Sequence, residues 1–185
     1  MAIAKRTGYE VWRGTSPVDG GPIVALLVRS KANAKTGPGW CLWILRSDMS
    51  PSEAIKRGLD RSICGKCIHM GRYDAETDQF GKDRTCYVSM KAPMSIYKKF
   101  KRGGYRRISP CSAAKVIAGK YLRLGGYGDP AFVPLPILRI LVSTASKYTG
   151  YTHQWRTCSR KYREVLRWID VVARLRRDLG AEAGR

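Results

Sequence analysis

Cys64-Gly65-Lys66-Cys67-Ile68-His69, followed by Cys86, carries the sharpest chemical signature in this sequence. Two thiols separated by two residues can grip one metal ion from a tight turn, because the intervening glycine lets backbone amides face the sulfurs. His69 and Cys86 would complete a Cys₃His tetrahedron around zinc, with an iron–sulfur cluster as the alternative. The chain has no second C-x-x-C pair, and Cys41 stands in Trp40-Cys41-Leu42-Trp43, which reads as core. The competing reading is a pair of reduced, half-buried loop cysteines. A thioredoxin-type redox pair fits less well, since these cysteines neither follow a strand nor open a convincing helix. With no signal-peptide pattern at the N-terminus, the six cysteines are expected as ligands or reduced core residues rather than three disulfides.

Asp129 and His153 form the second constellation. Asp129 lies in Gly125-Gly126-Tyr127-Gly128-Asp129-Pro130, which is neither a dinucleotide fingerprint nor a phosphate loop. If a parallel strand precedes it, the cluster leaves the carboxyl end of that strand, where α/β folds place their sites. His153 belongs to Tyr151-Thr152-His153-Gln154-Trp155; strand alternation would put Tyr151, His153 and Trp155 on one face. On a neighbouring strand, His153 would meet Asp129 as base and orienter, or as a pair of metal ligands. A turn aspartate bonded to its own loop and a histidine satisfied by backbone are the plainer alternatives.

Charge supplies the third signal. The 185 residues carry a net charge of +21, and between Asp83 and Glu164 seventeen Lys and Arg stand against one acid, Asp129. Such a field opposes folding by self-repulsion unless a polyanion offsets it, so nucleic acid, DNA or RNA, is the partner to expect. Lys98, Lys99, Lys101, Arg102, Arg106 and Arg107 would contact phosphates, with Phe100 and Tyr105 as adjacent stacking surfaces. Arg123 and, on a C-terminal helix, Arg160, Arg163 and Arg167 extend the basic set. No apolar run approaches a membrane span, and a cytoplasmic protein is the default expectation.

These residues must be positioned by elements that local signals outline. Gly20-Gly21-Pro22 marks a turn; Ile23–Val28 and Trp40–Leu45 are apolar runs of strand length that predict a hairpin. Ser50-Pro51-Ser52-Glu53 reads as a capping box opening a helix that stops near Gly58. Thr85–Met90 reads as a strand. Pro93 opens a helix closed by Gly103-Gly104, and Ser109-Pro110 opens another ending at Gly119. Tyr121–Leu124 reads as a strand, Pro134 to about Tyr148 as a helix, and Tyr151–Trp155 as a further strand. Strands alternating with helices predict an α/β fold with a small, mostly parallel, partial-barrel-like sheet. The expected organisation is one domain over 1–156, with a metal loop at about 60–86. A basic amphipathic helix over 157–185 would pack an apolar stripe on the domain and solvate its arginines.

Four blocks taken together, Ser62–His69, Thr85–Val88, Leu122–Pro130 and Thr149–Trp155, resemble a family of uncharacterised proteins from bacteriophages and mobile elements. The resemblance covers roughly residues 20 to 156. It implies a β/α protein of partial-barrel type, but no activity. Members of that family usually continue with another strand–helix–strand and a second cysteine cluster, where this chain runs into its arginine-rich helix. A distant likeness to radical-SAM barrels is not supported, because the C-x-x-x-C-x-x-C triplet is missing. The leading expectation is a nucleic-acid-binding protein with a structural zinc. The alternatives are a metal-dependent enzyme acting on nucleic acid through Asp129 and His153, and an inhibitor of a host defence nucleoprotein complex.

Overall fold

The centre of the molecule is built from three strands whose residues leave water almost completely. A computed structural model describes residues 7–30 and 38–166. In it, β1 (Gly8–Thr15), β2 (Pro22–Ser30) and β3 (Gly39–Arg46) form an antiparallel meander. Five consecutive residues of β2, Ile23 to Leu27, are fully buried, so both faces of the sheet centre are covered. The predicted hairpin is therefore present as β2–β3, and β1 is a third strand that the sequence did not single out.

α1 (Pro51–Lys56) follows β3. Ser50 caps it, its Oγ accepting from the Glu53 N–H at 3.2 Å, with Pro51 at the first helical position. The reciprocal half of the capping box is replaced: the Glu53 carboxylate lies 3.9 Å from Arg57. α2 (Arg61–Cys64) is a single turn, and a separate hairpin, β4 (Arg72–Asp74) with β5 (Gln79–Lys82), lies beyond it. Residues 84–89 are irregular rather than the strand expected over Thr85–Met90. With Thr85, Tyr87 and Ser89 exposed and no strand beside them, nothing completes a ladder there.

α3 (Lys91–Lys101), β6 (Arg106–Arg107), α4 (Pro110–Ile117), β7 (Tyr121–Arg123), α5 (Leu135–Thr144), β8 (Lys147–Thr149) and α6 (Arg160–Val165) complete the order. The six-stranded sheet runs β6-β1-β2-β3-β7-β8. β6 is parallel to β1, β7 to β3 and β8 to β7, so every strand but β2 points the same way. The fold is mixed α/β, as expected, although its longest pairings are the antiparallel ones. β7-α5-β8 is a compact parallel unit. β6-α4-β7 instead carries the chain across the three meander strands.

Two helix and strand limits differ from the sequence reading for a shared reason. The helix opened by Pro134 ends at Thr144 rather than Tyr148, because Lys147–Thr149 pairs with β7. That moves the last strand upstream, and Tyr151–Trp155 becomes a series of turns. The expected alternation survives without a strand: Thr152 and Gln154 are buried, while Tyr151, His153 and Trp155 are half-buried. Of the basic C-terminal helix, α6 is described; Arg167 and residues 167–185 lie outside the described residues. Among the described residues no helix is long and apolar enough to cross a membrane.

Candidate functional site

Past its last paired residue, β7 continues upward alongside β3. Gly126 N–H donates to Leu42 O at 2.8 Å, and Ile44 N–H donates to Tyr127 O at 2.8 Å. Gly128 is required here, since it adopts φ +76° and a Cβ would stand 2.6 Å from the Ile44 carbonyl. The loop thus delivers Asp129 over the carboxyl end of β3 beside α2, where its N–H donates to Ile63 O at 2.6 Å.

Asp129 is 4% exposed and its carboxylate is fully engaged. Oδ1 accepts from the Ala131 N–H at 2.9 Å and from Thr152 Oγ1 at 2.6 Å; Oδ2 accepts from the His153 N–H at 2.7 Å. His153 Nδ1 lies 4.0 Å from Oδ2. The two predicted residues do come together, but the main link is the histidine's backbone rather than its ring. Burial pushes the Asp129 carboxyl above its ordinary value, opposed by the Thr152, Ala131 and His153 hydrogen bonds. It acts as a clamp that joins the start of a 3₁₀ turn (Pro130–Phe132) to the 152–154 turn. Gln154 carries the connection further: its Nε2 donates to Cys64 O at 3.0 Å.

That bond brings the clamp to the cysteine loop. Cys64 ends α2, and Gly65 turns at φ +57° with its Cα against the Gln154 amide, where a Cβ would stand 2.6 Å away. His69 Nδ1 meets Thr85 Oγ1 at 2.8 Å, which leaves Nε2 as the atom able to ligate. Its ring stands edge-on to that of His153, centroids 5.7 Å apart. As these side chains stand, no group of three His, Cys, Asp or Glu among the described residues is arranged to hold an ion.

Burial raises the Cys64 thiol well above its ordinary value and also raises Cys67, so the loop does not make a reactive thiolate by itself. The Tyr127 hydroxyl is buried without a hydrogen-bond partner among the described residues. A buried orphan of this kind asks for an explanation. No local pattern marks the pair that anchors this corner. Arg84 Nη1 donates to Asp60 Oδ2 at 2.8 Å and to Met70 O at 3.0 Å, with the Asp60 side chain 3% exposed. Asp60 and Arg84 are 24 residues apart in the chain, and each looks like an ordinary surface residue in its local context.

The basic run occupies a different place, the β6 edge of the sheet. Lys98, Lys101, Arg102 and Arg106 are exposed and pair with no acid among the described residues. Lys99 bonds Thr7 and stands 5.3 Å above the Tyr105 ring; Arg107 lies 3.8 Å from Glu10. The expected stacking surfaces are not available, because Tyr105 is 7% exposed under Lys99 and Phe100 is half-buried beside Arg13. Arg123 is on β7, three strands from β1 in the sheet, its Nη2 donating to the Tyr87 hydroxyl at 3.0 Å. Arg160 is exposed at the start of α6, and Arg163 follows on the same helix. Compared with profiles of known protein families, with curated proteins and with solved structures, the chain matches none.

Proposed function

We propose that this protein binds nucleic acid through the α3–β6 edge. The carrying observation is the row of four exposed cations, Lys98, Lys101, Arg102 and Arg106, with no carboxylate to neutralise them among the described residues. Three of α3's last four residues are lysines at a helix C-terminus, where the helix dipole favours them. The rest of the row has no such local partner, and a polyphosphate backbone is the ligand that satisfies repeated, unpaired, surface cations. The likeness to phage and mobile-element proteins makes that the biological setting of the proposal. The test is a titration of duplex and single-stranded oligonucleotides at several salt concentrations. Log affinity should fall linearly with log salt, by about 0.9 per neutralised phosphate on duplex DNA. Affinity independent of salt, or no binding at low salt, would sink the reading.

The same proposal includes a zinc ion held by Cys64, Cys67 and Cys86, with His69 Nε2 as the fourth donor. The donor types, the Thr85 contact on His69 Nδ1 that leaves Nε2 for a ligand, and the orphaned Tyr127 hydroxyl support it. The ion would staple α2 to the 84–89 segment and carry no reaction. One zinc per chain should co-purify, and chelation should lower Tm to the value of Cys64→Ser. A folded, metal-free protein whose Tm ignores added zinc contradicts this part while leaving the basic edge untouched.

A further inference from the structure

A cavity of about 250 Å³ opens where β2, β3 and β7 meet α3. Trp43, Tyr121, Arg123 and Ile96 stand in its lining; Arg29 and Trp40 border it too, but the strand pairing turns their side chains to the other face of the sheet. The volume lies below the roughly 300–1,000 Å³ of most small-molecule sites, so it suits a unit the size of one base and its sugar. Arg123 has no carboxylate partner among the described residues, and the Tyr87 hydroxyl steadies it. Burial pushes the Cys41 thiol on the same wall up to about 12, so it adds no competing negative charge. Aromatic walls with an unneutralised guanidinium select a ligand that is both aromatic and anionic.

We propose that this cavity receives one unpaired nucleotide of a nucleic-acid strand, its base against Trp43 and Tyr121 and its phosphate on Arg123. The inference rests on the nucleic-acid reading and narrows it to strands that can splay out a base. Continuity favours a strand over a free nucleotide. Ile96 lines the cavity, and α3 reaches Lys98, Lys99 and Lys101 within about 8 Å of helix rise, so neighbouring phosphates would find cations without a break.

The test compares a 12-nucleotide single strand, a duplex of the same length and a mononucleotide, on the full chain and two variants. Arg123→Ala should weaken single-strand binding by about fivefold or more and lower its salt slope by up to about 0.7. Its duplex affinity, carried by the α3–β6 edge, should change less than about threefold. Trp43→Leu should cost the single strand about fivefold or more at an unchanged salt slope, because stacking carries no charge. Equal losses for single strand and duplex, or no loss in the arginine variant, would overturn the cavity assignment. A mononucleotide binding as tightly as the strand would overturn the strand as its source. A wild-type chain that binds neither nucleic acid contradicts the broader reading, a result distinct from the others.

Discussion

Between Arg46 and Arg84, six of the eight cations have an acid within ion-pair distance: Arg46, Arg57, Arg61, Arg72, Lys82 and Arg84. Between Lys91 and Arg123, one of ten does, Arg107 beside Glu10. The two regions use the same residue types for different ends. In the first, charge is satisfied within the fold: Arg84 neutralises a buried Asp60, and Arg46 ties Asp48 at 2.7 Å to the Ser62 hydroxyl at 2.6 Å. In the second, charge is left on the surface and only repels itself in the absence of a partner. A paired cation is therefore expected to matter for stability, and an unpaired one for binding.

The largest stability effect should follow from breaking the most buried pair. Arg84→Met leaves Asp60 buried without its counter-charge, and the expected loss is about 3 kcal/mol by denaturant unfolding. Asp60 is already raised above its ordinary value, by burial first, with Arg84 opposing the shift. Removing Arg84 raises it further. A folded-state pKa above the unfolded one favours the fold below the unfolded pKa, and that advantage is lost as pH rises through the folded value. The deficit of Arg84→Met should accordingly shrink between about pH 7 and pH 4, while oligonucleotide affinity stays unchanged. A deficit that grows towards acid would show Asp60 to be held by something other than Arg84.

Asp129→Asn should come next, at about 2 kcal/mol. The amide can still accept at one oxygen, but an N–H group would face the Ala131 and Thr152 donors or the His153 N–H. Hydrogen exchange of the 152–158 amides should accelerate while the β2 and β3 amides keep their protection. Uniform acceleration would mean that the clamp belongs to the core rather than to the loop layer. The smallest effect belongs to the unpaired set. Lys98→Ala/Lys101→Ala/Arg102→Ala/Arg106→Ala should change stability by no more than about 0.5 kcal/mol, with relief of repulsion as the favoured sign. A large loss would make those side chains structural.

The same division explains what the sequence made visible. Ser50-Pro51 and Ser109-Pro110 marked helix starts because a cap is a local bond: Ser50 Oγ to Glu53 N–H and Ser109 Oγ to Ser112 N–H. The β2–β3 hairpin showed as two apolar runs because both faces of those strands are buried. Lys147–Thr149 did not show, since a three-residue edge strand with two exposed residues has no pattern beyond its pairing with β7. Asp129 and His153 were legible as neighbours, but not the clamp geometry, which depends on a turn replacing the expected strand. The Asp60–Arg84 pair and the aromatic cavity were invisible for one reason. Each is assembled from distant segments that only the finished fold brings together.

Two variants that lower net charge by the same amount test the division of labour most directly. One removes the unpaired set as Lys98→Ala/Lys101→Ala/Arg102→Ala/Arg106→Ala; the other removes paired, exposed cations as Arg57→Ala/Arg61→Ala/Arg72→Ala/Lys82→Ala. The measurement is the slope of log affinity against log salt for a duplex oligonucleotide. The unpaired variant should lower that slope by about 0.9 for each phosphate the protein no longer neutralises, and the paired variant should leave it near wild type. Equal slopes in the two variants would show that net charge alone draws the polyanion, and would contradict the assignment of the α3–β6 edge as its binding surface.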